Sequence, residues 1–259
     1  IYLTLGLAIL ATFTAFGMTE ERAEQSGSPR KGVLTTLQFT LQAGMWIGKT
    51  PFALAIILFG MCYDHVLRMV VTMTSQYYRL IQLPEASFGL IGSAMALLGL
   101  ITPKIAEKIV IANSPLTNLI WVLIIAITGL VGLVPFTPYW GLLPMACIFT
   151  AMMFVSFFTS HYLNQITESH QRATVLSFKG LAFNLAYGTI GIFFALLMDA
   201  LRKHNSANLS KTLLEDETFR QAIGFFPGYL LVCLLLTAIF CGWRLAASGD
   251  QSWRQRGKS

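Results

Sequence analysis

Long apolar stretches separated by short polar gaps occupy most of this chain of 259 residues. A helix needs roughly 20 apolar residues to cross a hydrocarbon core about 30 Å thick. Continuous apolar runs of this length favour helices, because a membrane barrel shows alternating segments of about 10 residues. The pattern predicts an all-α membrane protein, a polytopic bundle of about seven transmembrane helices. The stretches lie at approximately 1–18, 51–75, 87–103, 115–135, 139–161, 174–199 and 225–247.

Composition agrees with this segmentation. Hydrophobic residues make up 55% of the chain and charged residues 12%, with a mean hydropathy of +0.63. A soluble domain carries about 25% charged residues. The first stretch begins at residue 1 with no flanking polar segment. We therefore expect a fragment that begins inside a larger helical bundle.

The distribution of basic residues predicts the orientation in the membrane. If the gap 19–50 is cytoplasmic, alternation places twelve Lys and Arg residues on the inner side and five on the outer side. This asymmetry is the positive-inside bias, which puts the C-terminus in the cytoplasm. The net charge of +6 therefore reports topology, and no nucleic-acid partner is expected.

The gap 19–50 ends in a segment with helical periodicity. Its apolar stripe predicts an amphipathic helix on the inner leaflet, and a linker helix docked on protein is the alternative. The pair Thr50 and Pro51 predicts the start of a new helix, with Thr50 as its N-cap. The stripe consists of Leu34, Leu37, Leu41 and Met45.

Ionisable residues inside the second stretch are the strongest candidates for a functional site. Asp64 and Arg68 lie four positions apart and can pair on one helical face, which Thr72 extends, whereas His65 points about one step round the helix. Ionisable groups at such depth normally face a water-filled cavity or each other. The functional interpretation is a substrate or proton pathway. The structural alternative is an ion pair that holds two helices together.

Small residues that fall on one helical face, four apart in the sixth stretch, predict close helix packing in two stretches. They are Gly89, Gly92 and Gly99 in the third stretch, and Gly180, Asn184 and Gly188 in the sixth.

The remaining polar groups suggest no catalytic or metal site. The chain has no HExxH, GxSxG or phosphate-binding glycine motif, and its four cysteines form no CxxC pair. No metal and no cofactor is therefore expected. A polar set at the end of the fifth stretch is interpreted as structural, because hydroxyls can bond within their own helix. It comprises Ser156, Thr159, Ser160, His161, Asn164 and Gln165.

The segment after the fifth stretch resembles a known family. Arg172, Ala173 and Thr174, then Ser177, open a glycine-bearing helix that ends at Asp199. This string is similar to the inner loop and penultimate helix of the major facilitator superfamily. The resemblance implies a twelve-helix fold in two halves, with substrate bound between them near the midplane.

The resemblance also implies a division of the chain. Residues 1–18 would be the last helix of the N-terminal half, 19–50 the cytoplasmic connection, 51–247 the six-helix C-terminal half, and 248–259 a cytoplasmic tail. Arg172 would contact inner-loop carbonyls or Glu168 as a gate or scaffold with Ser177. Asn184 would lie on a helix that packs outside the cavity, which makes it a weaker candidate.

We therefore expect a secondary active transporter of a small solute, working by alternating access, with proton coupling left open. Its partners would be the lipid bilayer, the solute and the missing N-terminal half, and its location a bacterial inner (plasma) membrane. A seven-helix receptor is the first alternative, with the same orientation. A membrane-embedded enzyme that uses Asp64 and His65 is the second.

Overall fold

The computed structural model describes Thr12, Thr14 and residues 33–205 and 210–248. Within these residues the chain is helical, with short connections and no strand. A 3-10 turn at Glu85–Ser87 precedes α4. The helices are α1 (Val33–Lys49), α2 (Pro51–Thr72), α3 (Thr74–Leu80), α4 (Phe88–Ala112), α5 (Pro115–Leu133), α6 (Leu142–Ile166), α7 (Arg172–Asn205) and α8 (Lys211–Ser248).

Six of the described helices, α2 and α4 to α8, are long and apolar enough to cross a membrane. The prediction of an all-α integral membrane protein is therefore confirmed for these six stretches. The first predicted span, 1–18, lies outside the described residues except for Thr12 and Thr14, which are helical. The connection 19–32 and the tail from 249 onward also lie outside them.

The chain divides into two compact units, residues 1–38 and residues 39–259. In the second unit α2 is the central helix, packed against α6, α7 and α8. In the most apolar 18-residue segment of α2, 61% is buried inside the structure, whereas the corresponding share for α7 is 11%. Val66 and Leu67 of α2 are completely buried. Functional groups on α2 are therefore held by neighbours on several sides, and those on α7 are held on one side only.

The predicted start of α2 is confirmed. Thr50 has an extended backbone, with φ −102° and ψ 98°, and Pro51 is the first helical residue. Proline suits this position because the first backbone N–H groups of a helix have no intrahelical acceptor. α5 starts in the same way: Ser114 accepts a hydrogen bond from the backbone of Thr117, and Pro115 follows it.

Two predicted gaps are helical instead. The segment 104–114 continues α4 through Pro103 as far as Ala112, since Ala106 and Val110 are buried and stabilise the extra turns. The segment 200–224 contains the end of α7 and the first turns of α8, because Phe219 and Ile223 pack into the core. Apolar residues four apart outweigh the charged residues between them.

The α1 helix presents two different faces. Ala43 and Ile47 are buried, so the docked-linker interpretation is correct for this face. Leu41 and Met45, from the predicted stripe, are 65% and 59% exposed. Contact of this exposed stripe with the inner leaflet stays a prediction. The side chains of Leu34 and Leu37 are not among those described.

Candidate functional site

A buried ion pair lies at the centre of α2. Nη2 of Arg68 donates to Oδ1 of Asp64 at 2.9 Å and stands 2.7 Å from Oδ2. Asp64 is 5% exposed, whereas the Arg68 side chain is 32% exposed. Within the described part of the chain, Oδ2 of Asp64 receives no well-directed hydrogen bond. One carboxylate oxygen therefore contacts the guanidinium through charge alone.

Side chains of α7 complete the site around Arg68. Nη1 of Arg68 donates to Oδ1 of Asn184 at 2.8 Å, and the guanidinium carbon lies 5.5 Å from the ring centroid of Tyr187. The Tyr187 hydroxyl lies 2.9 Å from Oγ1 of Thr72. Arg68 thus bridges an acid on its own helix and an amide on another. Asn184, which the resemblance made a weak candidate, directly contacts the site.

His65 faces away from this cluster, toward α8. Its Nδ1 lies 2.6 Å from the carbonyl of Met61, and its Nε2 lies 3.2 Å from the hydroxyl of Tyr229. A cavity of about 430 Å³ next to this imidazole is lined by α2, α7 and α8. The four predicted residues therefore divide into two groups. Asp64, Arg68 and Thr72 belong to the cluster with Asn184 and Tyr187 of α7, whereas His65 contacts Tyr229 of α8.

Lys179 extends the polar groups from α7 to α6. Its Nζ donates to Oγ of Ser160 at 2.7 Å and lies 5.5 Å from the ring centroid of Phe183. Lys179 also interacts electrostatically with both Asp64 and Arg68. The polar groups of α2, α6 and α7 consequently form one set, which we call the polar track. It consists of Asp64, Arg68, Thr72, Ser160, Lys179, Asn184 and Tyr187.

Among the residues that the structure describes, nothing covers one side of the polar track. Thr72 and Asn184 are exposed, and a Cβ placed on Gly180 or Gly188, one turn either side of Asn184, would meet nothing within 4 Å. An arginine is not stable against hydrocarbon, so an open face of this kind contacts water or another part of a protein.

The expected helix packing at small residues is seen at only one of the five glycines. A Cβ on Gly99 would meet Cε of Met153 at 3.2 Å, so α4 approaches α6 here. Neither Gly89 nor Gly92 has a neighbour within 4 Å of such an atom among the described residues, and the same is true of the α7 glycines. For these positions close packing stays a prediction.

The inner-loop residues make local contacts. Nε of Arg172 donates to the Thr167 carbonyl at 3.1 Å, which is a carbonyl contact of the expected kind. Glu168 is paired with His170 at 3.4 Å, so it is not the partner of Arg172. Ser177 is exposed. The role of these residues as a gate or scaffold stays a prediction.

Sequence reasoning missed Lys179 and the two tyrosines, Tyr187 and Tyr229. Lys179 was counted as an inner-side charge, although it lies inside the predicted span 174–199. An ionisable residue within a span is the same signal that identified Asp64. The sequence therefore contained the signal for Lys179. The tyrosines carry no such signal, because aromatic residues are common in spans.

No family model, no curated protein and no solved structure matches the chain. The family resemblance therefore depends on the sequence string that begins at Arg172, and the function must be argued from the site. In the described part of the chain, no three His, Cys, Asp or Glu side chains lie close enough together to hold a metal ion.

Proposed function

We propose that the chain belongs to a secondary active transporter of a small solute, built on the major facilitator plan, and forms the C-terminal half of its pathway. The observation that carries this proposal is the polar track. A charged, hydrogen-bonded set of side chains lies within the apolar spans of three helices, and no described residue covers one side of it.

The physical argument rests on where that open side can be stable. Charged groups in spans are expensive unless they face water or each other, and they mark the pathways of solutes and ions. In a two-half transporter, the second half covers this face and the space between the halves holds the solute. The exposed small residues of α7 would allow such a half to come close.

The Asp64–Arg68 pair has the geometry of a switch. Arg68 binds the carboxylate through one nitrogen and Asn184 through the other, so it can keep one partner while it releases the other. A proton on Asp64 would remove its negative charge and so weaken its hold on Arg68. This supports proton coupling. The basic asymmetry supports a C-terminus in the cytoplasm, and a bacterial plasma membrane is the location that we propose.

Cysteine accessibility tests the proposal without knowledge of the solute. We would place Asn184→Cys in the full protein, with the four native cysteines replaced, and label membrane vesicles with a charged, membrane-impermeant thiol reagent. Alternating access predicts labelling in right-side-out and in inside-out vesicles. The matched control is Leu235→Cys on α8, which is 61% exposed, has apolar neighbours and should stay unlabelled.

The possible outcomes separate the alternatives. Labelling of Asn184→Cys from one side only would favour a receptor with a single open cavity. No labelling from either side, in a protein that folds, would mean that the polar track faces lipid or closed protein, and the proposal would be wrong. If Asn184→Cys is labelled from both sides, Asp64→Asn should also change the ratio of labelling between the two sides, because this substitution weakens the bond between Asp64 and Arg68.

A further inference from the structure

A second cavity adjoins the polar track between α4 and α6. It measures about 480 Å³, which is within the usual range for small-molecule sites of about 300 to 1,000 Å³. On the α6 side its lining mixes hydroxyl, imidazole and amide groups with the apolar side chains of Met153 and Phe157. Its lining residues include Gly99, Pro103, Ser156, Ser160, His161 and Asn164.

Two features of the lining indicate polar groups that await a partner. Nε2 of His161 is buried and has no hydrogen-bond partner among the described residues, although Phe157 stacks on the ring at a centroid distance of 6.0 Å. Pro103 has no N–H, so the helical hydrogen bond that residue 103 would give to the Gly99 carbonyl is missing. A buried polar atom without a partner is costly, which favours a ligand or water there.

Lys179 supplies a positive charge at the edge of this cavity. Its ammonium donates to Ser160, which is one of the lining residues. The described residues offer Lys179 no carboxylate within ion-pair distance, whereas Arg68 is bound to Asp64. Among the described residues of these helices, Arg68 and Lys179 therefore share the single carboxylate of Asp64, which leaves one positive charge without an ion-pair partner. A net charge at this depth is unfavourable and is best neutralised by a bound anion.

Glu107 is the other charged group near the cavity, and it does not remove this excess. It interacts electrostatically with His161 but is exposed near the end of α4, where Lys104 and Lys108 flank it. Its charge is thus balanced by its neighbours. Among the ionisable groups that the structure describes, Lys179 interacts electrostatically with Asp64 and Arg68.

From the unpartnered imidazole nitrogen of His161 and the unbalanced lysine we propose that the α4–α6 cavity binds the carboxylate of a small organic monoanion, with Lys179 and His161 as its donors and Ser160 as the group that positions the ammonium. This inference rests on the proposed transport function and names its class of substrate. A single negative charge matches the excess, whereas a phosphate monoester would bring about 1.5 to 2 charges.

Binding can be measured on the purified full protein by thermal unfolding with added salts at constant ionic strength. The probes are the monocarboxylates sodium lactate and benzoate, with the dianion succinate, inorganic phosphate, glucose and choline as contrasts. At least one monocarboxylate should raise the unfolding temperature. Its apparent Kd should rise about ten- to a hundredfold in Lys179→Gln, because a charge-assisted hydrogen bond is lost. The matched control Lys211→Gln removes an exposed charge from α8 and should change Kd less than twofold.

Several results would overturn the proposal. One is the absence of any carboxylate effect. Others are tighter binding of phosphate, glucose or choline, or equal carboxylate binding in the two lysine variants. Ser160→Ala serves as a second, milder variant if Lys179→Gln does not fold, and it should also weaken binding. Carboxylate binding without uptake into proteoliposomes would refute the transport function and keep the site. Uptake of a neutral solute without carboxylate binding would support the transport function and refute the carboxylate site.

Discussion

Gly60 of α2 lies against both α6 and α7, one turn before Asp64. An alanine at this position therefore tests the contact between these three helices. A Cβ there would stand 2.7 Å from Cζ of Phe183 and 2.7 Å from Oγ1 of Thr159. Both neighbours are held in place, each with 4% exposure, and Thr159 also donates to the Val155 carbonyl at 2.7 Å. Because the ordinary contact distance of carbon atoms is about 3.5 to 4.0 Å, the helices must move apart.

The size of the effect follows from a matched pair of variants. Gly242→Ala on α8 is the control, since a Cβ there meets nothing within 4 Å. Both substitutions gain about 1 kcal/mol of helix propensity, and only Gly60→Ala adds an overpacking cost of about 1 to 3 kcal/mol. At about 2 to 4 °C per kcal/mol, Gly60→Ala should unfold roughly 2 to 12 °C below Gly242→Ala.

The assay is thermal unfolding in detergent, followed with a dye that becomes fluorescent on reaction with thiols. Cys241 is buried and Cys62 is partly buried, so both become reactive as the helices separate. If Gly60→Ala unfolds at or above the temperature of Gly242→Ala, the close approach of the three helices is refuted. If Gly242→Ala were the less stable of the two variants, the open position of Gly242 would also be refuted.

Two further predictions concern hydrogen bonds away from the polar track. Tyr162→Phe leaves Nδ2 of the fully buried Asn118 without its partner at 2.6 Å and should lower the free energy of unfolding by about 1 to 3 kcal/mol. Adding Asn118→Leu removes the second polar group, so a double-mutant cycle should show a loss smaller than the sum of the single losses, and additive losses would contradict this. Arg202→Gln breaks a two-bond ion pair with Glu215, at 2.8 Å for each bond, whose side chains are 40% and 38% exposed. Its unfolding temperature should stay nearly unchanged at any salt concentration, and a large drop would show that this pair clamps α7 to α8.

The candidate site could be predicted as far as one helix carries it. Asp64 and Arg68 pair because helix geometry alone brings positions four apart together. The contact between Arg68 and Asn184 joins residues 116 positions apart, and it depends on how α7 is rotated about its own axis. Sequence periodicity does not contain that angle, since α7 is apolar on most sides. The same angle brings Lys179 to Ser160.

By itself, the sequence determined that this protein is a bundle of apolar helices, where α2 begins, and which α2 residues are ionisable at membrane depth. These properties depend on local composition and on the 3.6-residue repeat. Only the tertiary structure decided that His65 contacts α8, that α4 continues past Pro103, and that no described residue covers one side of the polar track. These properties arise from packing between distant segments, where buried apolar area and the pairing of charges select one arrangement among many that the local pattern permits.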